Sequence, residues 1–219
     1  MSAPQPAVPA AQSAAQPAAQ SAAQSAARSA GPTVEPADGE LVPRIVHPSD
    51  PLAAPLLADL EREYDARYGV EVFGEPASVE LNRYPAEAFT APEGAFLLLL
   101  SGGEAVSGGA FMRFDERTAE FKRIWTRADV RGRGLAKRVL AALEREAGRL
   151  GYERIYLTTG PRQPEAVALY LSTGYTPRFD PARPAAEVGV HPFTKELGPG
   201  IRRPAARARA GTTSKETRS

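Results

Sequence analysis

The chain has 219 residues, a formal net charge of +1 and 42% hydrophobic residues, enough for one ordinary domain with tails. It has no cysteine and only two histidines, His47 and His191. Disulfides, thiolate zinc sites and cysteine nucleophiles are therefore excluded, a histidine metal site or Ser-His-Asp triad has almost nothing to draw on, and no metal is expected.

The first 30 residues are Ala, Gln, Ser or Pro apart from Met1, Val8 and Arg28. Such a composition offers no apolar face to bury, so residues 1–39 read as a disordered leader. A secretory signal would need a basic start and a continuous apolar run, and neither is present. No run approaches the ~18 apolar residues of a membrane span, and a cysteine-free chain suits a reducing cytoplasm.

From residue 40 to 197 the pattern is that of one α/β (α+β) domain. "VPRIVHP" (42–48) predicts a short strand. In "SDPLAAPLLADLEREYDARYG" (49–69), Ser49 and Asp50 precede Pro51 as a cap before a first-turn proline. Leu56, Leu57, Leu60 and Tyr64 then recur at helical spacing until Gly69. Residues 70–93 read as loop with short helical character. Two apolar runs around "SGGE" in 94–115 predict a hairpin, and "TAEFKRIWT" (118–126) a third strand of the same meander. A strong helix follows from Gly134 to Leu150, with Leu135, Val139, Leu143 and Ala147 four residues apart. "ERIYLTT" (153–159) predicts a strand, "PEAVALYLST" (164–173) a helix closed by Gly174, and "GVHPFTKEL" (189–197) a final strand. His47 and His191 read as surface or strand-end residues.

Charge is unevenly spread. Residues 1–40 carry −2 and the tail 198–219 carries +5, which leaves −2 for the middle. A near-neutral domain with a basic, disordered tail is not the footprint of a nucleic-acid binder. Neither tail carries a heptad, so self-association, a homodimer included, is not legible.

The chemistry concentrates at "DVRGRGLAKRVL" (129–140), a strand-to-helix corner with two glycines and four basic side chains. The dinucleotide pattern G-x-G-x-x-G fails because Lys137 occupies its third place, and the P-loop pattern is absent. What remains is a short turn whose N–H groups and helix N-terminus hold a pyrophosphate, or a plain helix entry with solvated basic residues. In the first case Gly132 and Gly134 admit phosphate oxygens close to the backbone, and Arg131, Arg133, Lys137 and Arg138 supply charge.

Downstream, "TTGPRQPEAVALYLSTGY" (158–175) completes a second pattern. With both in place the chain resembles the GNAT acyltransferase superfamily over roughly residues 43–197. Arg131, Gly134 and Ala136 match R-x-x-G-x-G/A, and Gln163, Ala166, Leu169, Tyr170, Gly174 and Tyr175 match N-x-x-A-x-x-L-Y…G-F. Three positions depart from the usual residue: Gln163 stands for Asn, Ala136 for Gly and Tyr175 for Phe.

The resemblance implies a mixed, mostly antiparallel central sheet flanked by helices, with the fourth and fifth strands splayed apart. It implies acetyl-CoA as co-substrate, held by Arg131, Gly132, Arg133, Gly134, Leu135, Ala136 and Lys137 at the corner. The backbone of Ile124, Trp125 and Thr126 would pair with its pantetheine arm, with Gln163 and Ala166 on the later helix. Tyr170 is implied as general acid to the leaving thiolate. Glu120, expected on one strand face with Lys122, Ile124 and Thr126, is either a general base or an exposed carboxylate paired with Lys122 or Arg123. The expected partner is a primary amine, of a small molecule before a protein. Residues 68–90 and 176–188 would frame it, and Glu71, Glu75 and Glu80 are either a cation lure or solvated loop charges. The competing reading is a non-catalytic acyl-CoA-binding module of the same fold.

Overall fold

The computed structural model describes residues 40–68 and 76–198. Seven strands form one sheet in the order β1-β2-β3-β4-β5-β7-β6. They are β1 (Val42–Val46), β2 (Ala95–Ser101), β3 (Glu104–Arg113), β4 (Thr118–Thr126), β5 (Arg154–Thr159), β6 (Thr176–Pro177) and β7 (His191–Glu196). Every neighbouring pair is antiparallel except β4–β5, which is parallel and joined by a helical crossover. This is the mixed, mostly antiparallel sheet that the resemblance implied. The helices are α1 (Ala54–Arg67), α2 (Ala77–Leu81), α3 (Leu135–Arg149), α4 (Pro164–Ser172) and α5 (Ala185–Val188). The expected leader (1–39) lies outside the described residues, as does all but the first residue of the expected tail (198–219).

Local chemistry explains the elements. The Asp50 carboxylate accepts from the Leu52 N–H at 2.9 Å and caps a 3₁₀ turn that leads into α1. The four-residue repeat of α3 buries Leu135, Val139, Leu143 and Ala147, each side chain supplied to one face of the sheet. The opposite face is covered by α1 and α2, with Leu56, Leu60, Tyr64 and Leu81 packed beside Phe89, Leu98 and Trp125. "SGG" at 107–109 lets helices approach β3 closely from both sides. A Cβ on Gly108 would meet Leu56 Cδ1 of α1 at 2.8 Å, and one on Gly109 would meet Leu143 Cδ1 of α3 at 3.0 Å. Two strands were expected after the last helix, only the final one with a range; the other is the two-residue β6, and it lies with helix α5 in the expected loop 176–188.

One expectation about β4 is corrected. Gly108 is opposite Trp125 and Ala110 is opposite Lys122, so Arg123 and Ile124 together face Gly109. This is a β-bulge, and Arg123 adopts φ 61° within it. The bulge reverses the alternation. Ile124 joins the α3 face, whereas Trp125 joins the α1 face. Strict alternation had put Ile124 and Thr126 beside Glu120 and Lys122. The extra residue moves them to the other side of the sheet.

Candidate functional site

Strands β4 and β5 pair only through Thr118–Arg154, Ala119–Ile155 and Glu120–Tyr156, and beyond these residues they part. A parallel pair opening toward its carboxyl ends leaves a crevice there, which is where ligands of α/β folds settle. Two loop-to-helix corners stand at the mouth of this crevice, one after β4 and one after β5.

After β4 the chain makes a 3₁₀ turn at Ala128–Val130 and enters α3 through Gly132 and Gly134. Both glycines are left-handed, φ 80° and 76°, a conformation that disfavours a side chain. A Cβ built at either would meet nothing within 4 Å, so the turn has open room above it. Gly132, Arg133 and Lys137 are exposed, and Leu135 and Ala136 are buried in the first turn of α3. Together the open turn, the helix N-terminus and the exposed cations suit a phosphate group. Arg131, expected among the cofactor-binding residues, has partners within the chain. It is turned inward, pairs with Glu63 of α1, and donates from Nε to the Thr126 carbonyl at 2.9 Å. Burial lowers its pKa, and the charges of Asp59 and Glu165 oppose that effect.

After β5, Gln163 begins α4 fully buried. Its Oε1 accepts from Thr159 Oγ1 at 2.6 Å and from the Gly160 N–H at 3.0 Å, while its Nε2 has no partner. The Asn-to-Gln departure thus ties the longer side chain back to the end of β5. Ala166 and Tyr170 face the core. The Tyr170 ring lies 5.6 Å from that of Tyr175 and 5.4 Å from that of Phe193, centroid to centroid. Its hydroxyl is buried with no hydrogen-bond partner, and burial alone pushes its pKa well above the ordinary phenol value. A buried, unsatisfied hydroxyl costs stability unless something else meets it. Tyr170 OH and Gln163 Nε2 are therefore the kind of polar atoms that an acyl-CoA arm would satisfy, and the residues present fit that group.

On the α1 face, Glu120 sits where the strands part, and its Oε1 is 2.9 Å from Lys122 Nζ, with both side chains almost fully buried. The pairing expected as the alternative to a general base is present, in a buried rather than an exposed setting. Lys122 also lies over the Tyr84 ring at 4.9 Å. Trp125 is packed, as expected of its side chain, and its Nε1 donates to Asp59 at 3.0 Å. His47 is exposed, and His191 opens β7 with its side chain buried. Glu71 and Glu75 lie outside the described residues. Among the described residues no group of three or more His, Cys, Asp and Glu side chains could hold a metal ion. No described helix is long and apolar enough to cross a membrane.

Sequence reasoning missed Asp59, Glu63 and Arg67 on α1. Their four-residue spacing was visible, but the partners that give it meaning lie more than 60 residues away in sequence.

A mixed, mostly antiparallel sheet flanked by helices, whose two parallel strands part between two loop-to-helix corners, is the fold of the GNAT acyltransferases. The model of the Acetyltransferase (GNAT) family matches residues 57–175, more than half of the chain, and the chain belongs to that family. It is 35% identical over 117 residues to the uncharacterized N-acetyltransferase YsnE of Bacillus subtilis (strain 168), covering 51% of this chain and 75% of that one. It is 27% identical over 129 residues to the uncharacterized N-acetyltransferase YjgM of Escherichia coli (strain K12), covering 55% and 75%. Among solved structures, a candidate acyl-CoA N-acyltransferase from Klebsiella pneumoniae subsp. pneumoniae superposes with TM-score 0.55 at 28% identity, over 72% of this chain and 97% of that one. A phosphinothricin acetyltransferase from Sinorhizobium meliloti, solved with acetyl-CoA, shares the fold at TM-score 0.52 and 18% identity, over 79% and 97%. The protein is an acyltransferase.

Proposed function

We propose that the protein transfers the acetyl group of acetyl-CoA to a primary amine of a small molecule. The observation that carries this reading is the buried, unpartnered hydroxyl of Tyr170, on the helix that follows the parted strand β5. Acetyl-CoA supplies an acetyl thioester; the amine nitrogen bonds to its carbonyl carbon, the carbon–sulfur bond breaks, and the sulfur leaves as a thiolate that needs a proton.

The roles of the chain's own residues follow. N–H groups of the Gly132–Ala136 turn, with Arg133 and Lys137, hold the pyrophosphate, while Leu135 packs that turn onto the core. Main-chain groups of Ile124, Trp125 and Thr126 bind the pantetheine arm in the manner of an added strand and polarise the thioester carbonyl. Gln163 and Ala166 line the same arm. Tyr170, protonated at neutral pH as an ordinary phenol is, delivers its proton to the departing sulfur and is reprotonated from solvent. Glu120, held by Lys122 where the strands part, takes the proton of the amine, directly or through water, and passes it to solvent. A cytoplasmic setting fits the cysteine-free chain.

The test is release of free CoA thiol when the full chain meets acetyl-CoA and a panel of primary amines, with product identified by mass. Amine-dependent release that falls at least ten-fold in Tyr170→Phe, toward the roughly hundred-fold or more that one positioned acid contributes, supports the reading. Thiol release only with protein or peptide acceptors moves the acceptor class. Tight acetyl-CoA binding without release to either kind of amine favours the non-catalytic module.

A further inference from the structure

Beyond residue 120 nothing in the sheet itself ties the strands before the gap to those after it. The polar face of α1 spans that interval. Asp59, Glu63 and Arg67 are spaced four apart and so lie in one row along the helix, about 12 Å long at 1.5 Å per residue. Each member of the row reaches a different part of the acyl-CoA site. Asp59 Oδ2 accepts from Trp125 Nε1 at 3.0 Å on β4. Glu63 pairs with Arg131, which in turn holds the Thr126 carbonyl and opens the anion-binding turn. Arg67 pairs with Glu165 in the first turn of α4, and Arg162 Nη1 donates to the Arg67 carbonyl at 2.6 Å.

We infer that this row of α1 is a clamp that sets the spacing between the anion-binding turn and the start of α4, which makes Asp59, Glu63 and Arg67 positioning residues for acetyl-CoA. The inference rests on the acetyl-CoA reading proposed above. Helix α1 is itself packed on β3 and β4, so Arg67 is the arm that crosses to the other side of the gap. Its pair is shielded: Arg67 and Glu165 side chains are 20% and 17% exposed, and those of Arg131 and Glu63 are 15% and 21%. Ion pairs so placed are screened less than those on open surface, and removing one partner leaves the other charge poorly solvated. The same contacts give Arg131 a second reading. With its guanidinium between Glu63 and the Thr126 carbonyl, it joins the turn to α1, and pyrophosphate charge falls to the exposed Arg133 and Lys137.

The experiment titrates the full chain with acetyl-CoA by calorimetry, alongside Glu63→Gln, Arg67→Glu, Glu165→Arg and the double variant Arg67→Glu/Glu165→Arg. Thermal midpoints are recorded for each. We expect each single variant to stay folded and to bind about ten-fold more weakly, a loss larger than its fall in midpoint accounts for, and the charge-swapped double to return to within about three-fold of wild type. Folded single variants that bind like wild type overturn the inference, and so does a double variant as weak as the two singles combined. Losses that merely track a fall in thermal midpoint show a structural row and overturn it as well. Absence of binding by the wild type itself overturns the acetyl-CoA reading and takes the clamp with it.

Discussion

The Tyr170 hydroxyl makes no hydrogen bond in the folded chain, so removing it sacrifices none. Tyr170→Phe is therefore expected to leave thermal stability unchanged or slightly raised, while turnover drops at least ten-fold. A large fall in stability would show that the hydroxyl has a structural partner. His191 gives a second residue-scale prediction. Burial is the main influence and lowers its pKa, although the Gly160 and Thr159 carbonyls pull the other way. A depressed pKa means that the unfolded chain binds the proton more readily. The stability contributed by neutral His191 is thus present above about pH 6.5 and lost as pH falls below it. Wild-type melting temperature should decline between pH 7 and 5.5, and His191→Gln should flatten that decline. His47 is exposed, so an equal slope in the variant would contradict the assignment.

Among the elements, those with a clear period were legible. The α3 repeat, the hairpin around "SGGE" and the short helix before Gly174 all stand where spacing put them. The bulge in β4 was not legible, because "EFKRIWT" alternates acceptably in either register, and only pairing with β3 exposes the extra residue. Its consequence falls at the edge of the crevice, where it turns Trp125 toward α1 and Ile124 toward α3. Close packing of α3 on β3 depends on Gly109. A valine there would drive its branched carbon into Ile124 and Leu143, whose atoms lie 2.6 and 3.0 Å from even a Cβ. Gly109→Val should cost about 1–3 kcal/mol in denaturant unfolding, an overpacking penalty. A neutral result would mean that the helix can shift without loss. The α1 row teaches the complementary lesson: its spacing is local, but its meaning comes from the distant residues Trp125, Arg131 and Glu165.

At the scale of the molecule, two sheet halves meet along three residue pairs between β4 and β5, and the proposed chemistry occupies the gap where pairing stops. The fold was legible because both motifs sit at the carboxyl ends of the two parallel strands, where a crevice must open. The acceptor was not, because its expected walls, 68–90 and 176–188, have little periodicity in the sequence. If 40–198 is the working unit, removing both flanking segments should leave acetyl-CoA affinity within about three-fold, since none of the assigned contacts comes from them. The most direct test of the account is a calorimetric titration of the full chain with acetyl-CoA, beside Gly134→Glu. Gly134 has φ 76° and open space above it, so a glutamate there brings both backbone strain and a like charge to the phosphate cradle. The account predicts saturable one-to-one binding by the wild type and its loss in a folded Gly134→Glu variant. Equal binding by both proteins, or none by a folded wild type, would contradict it.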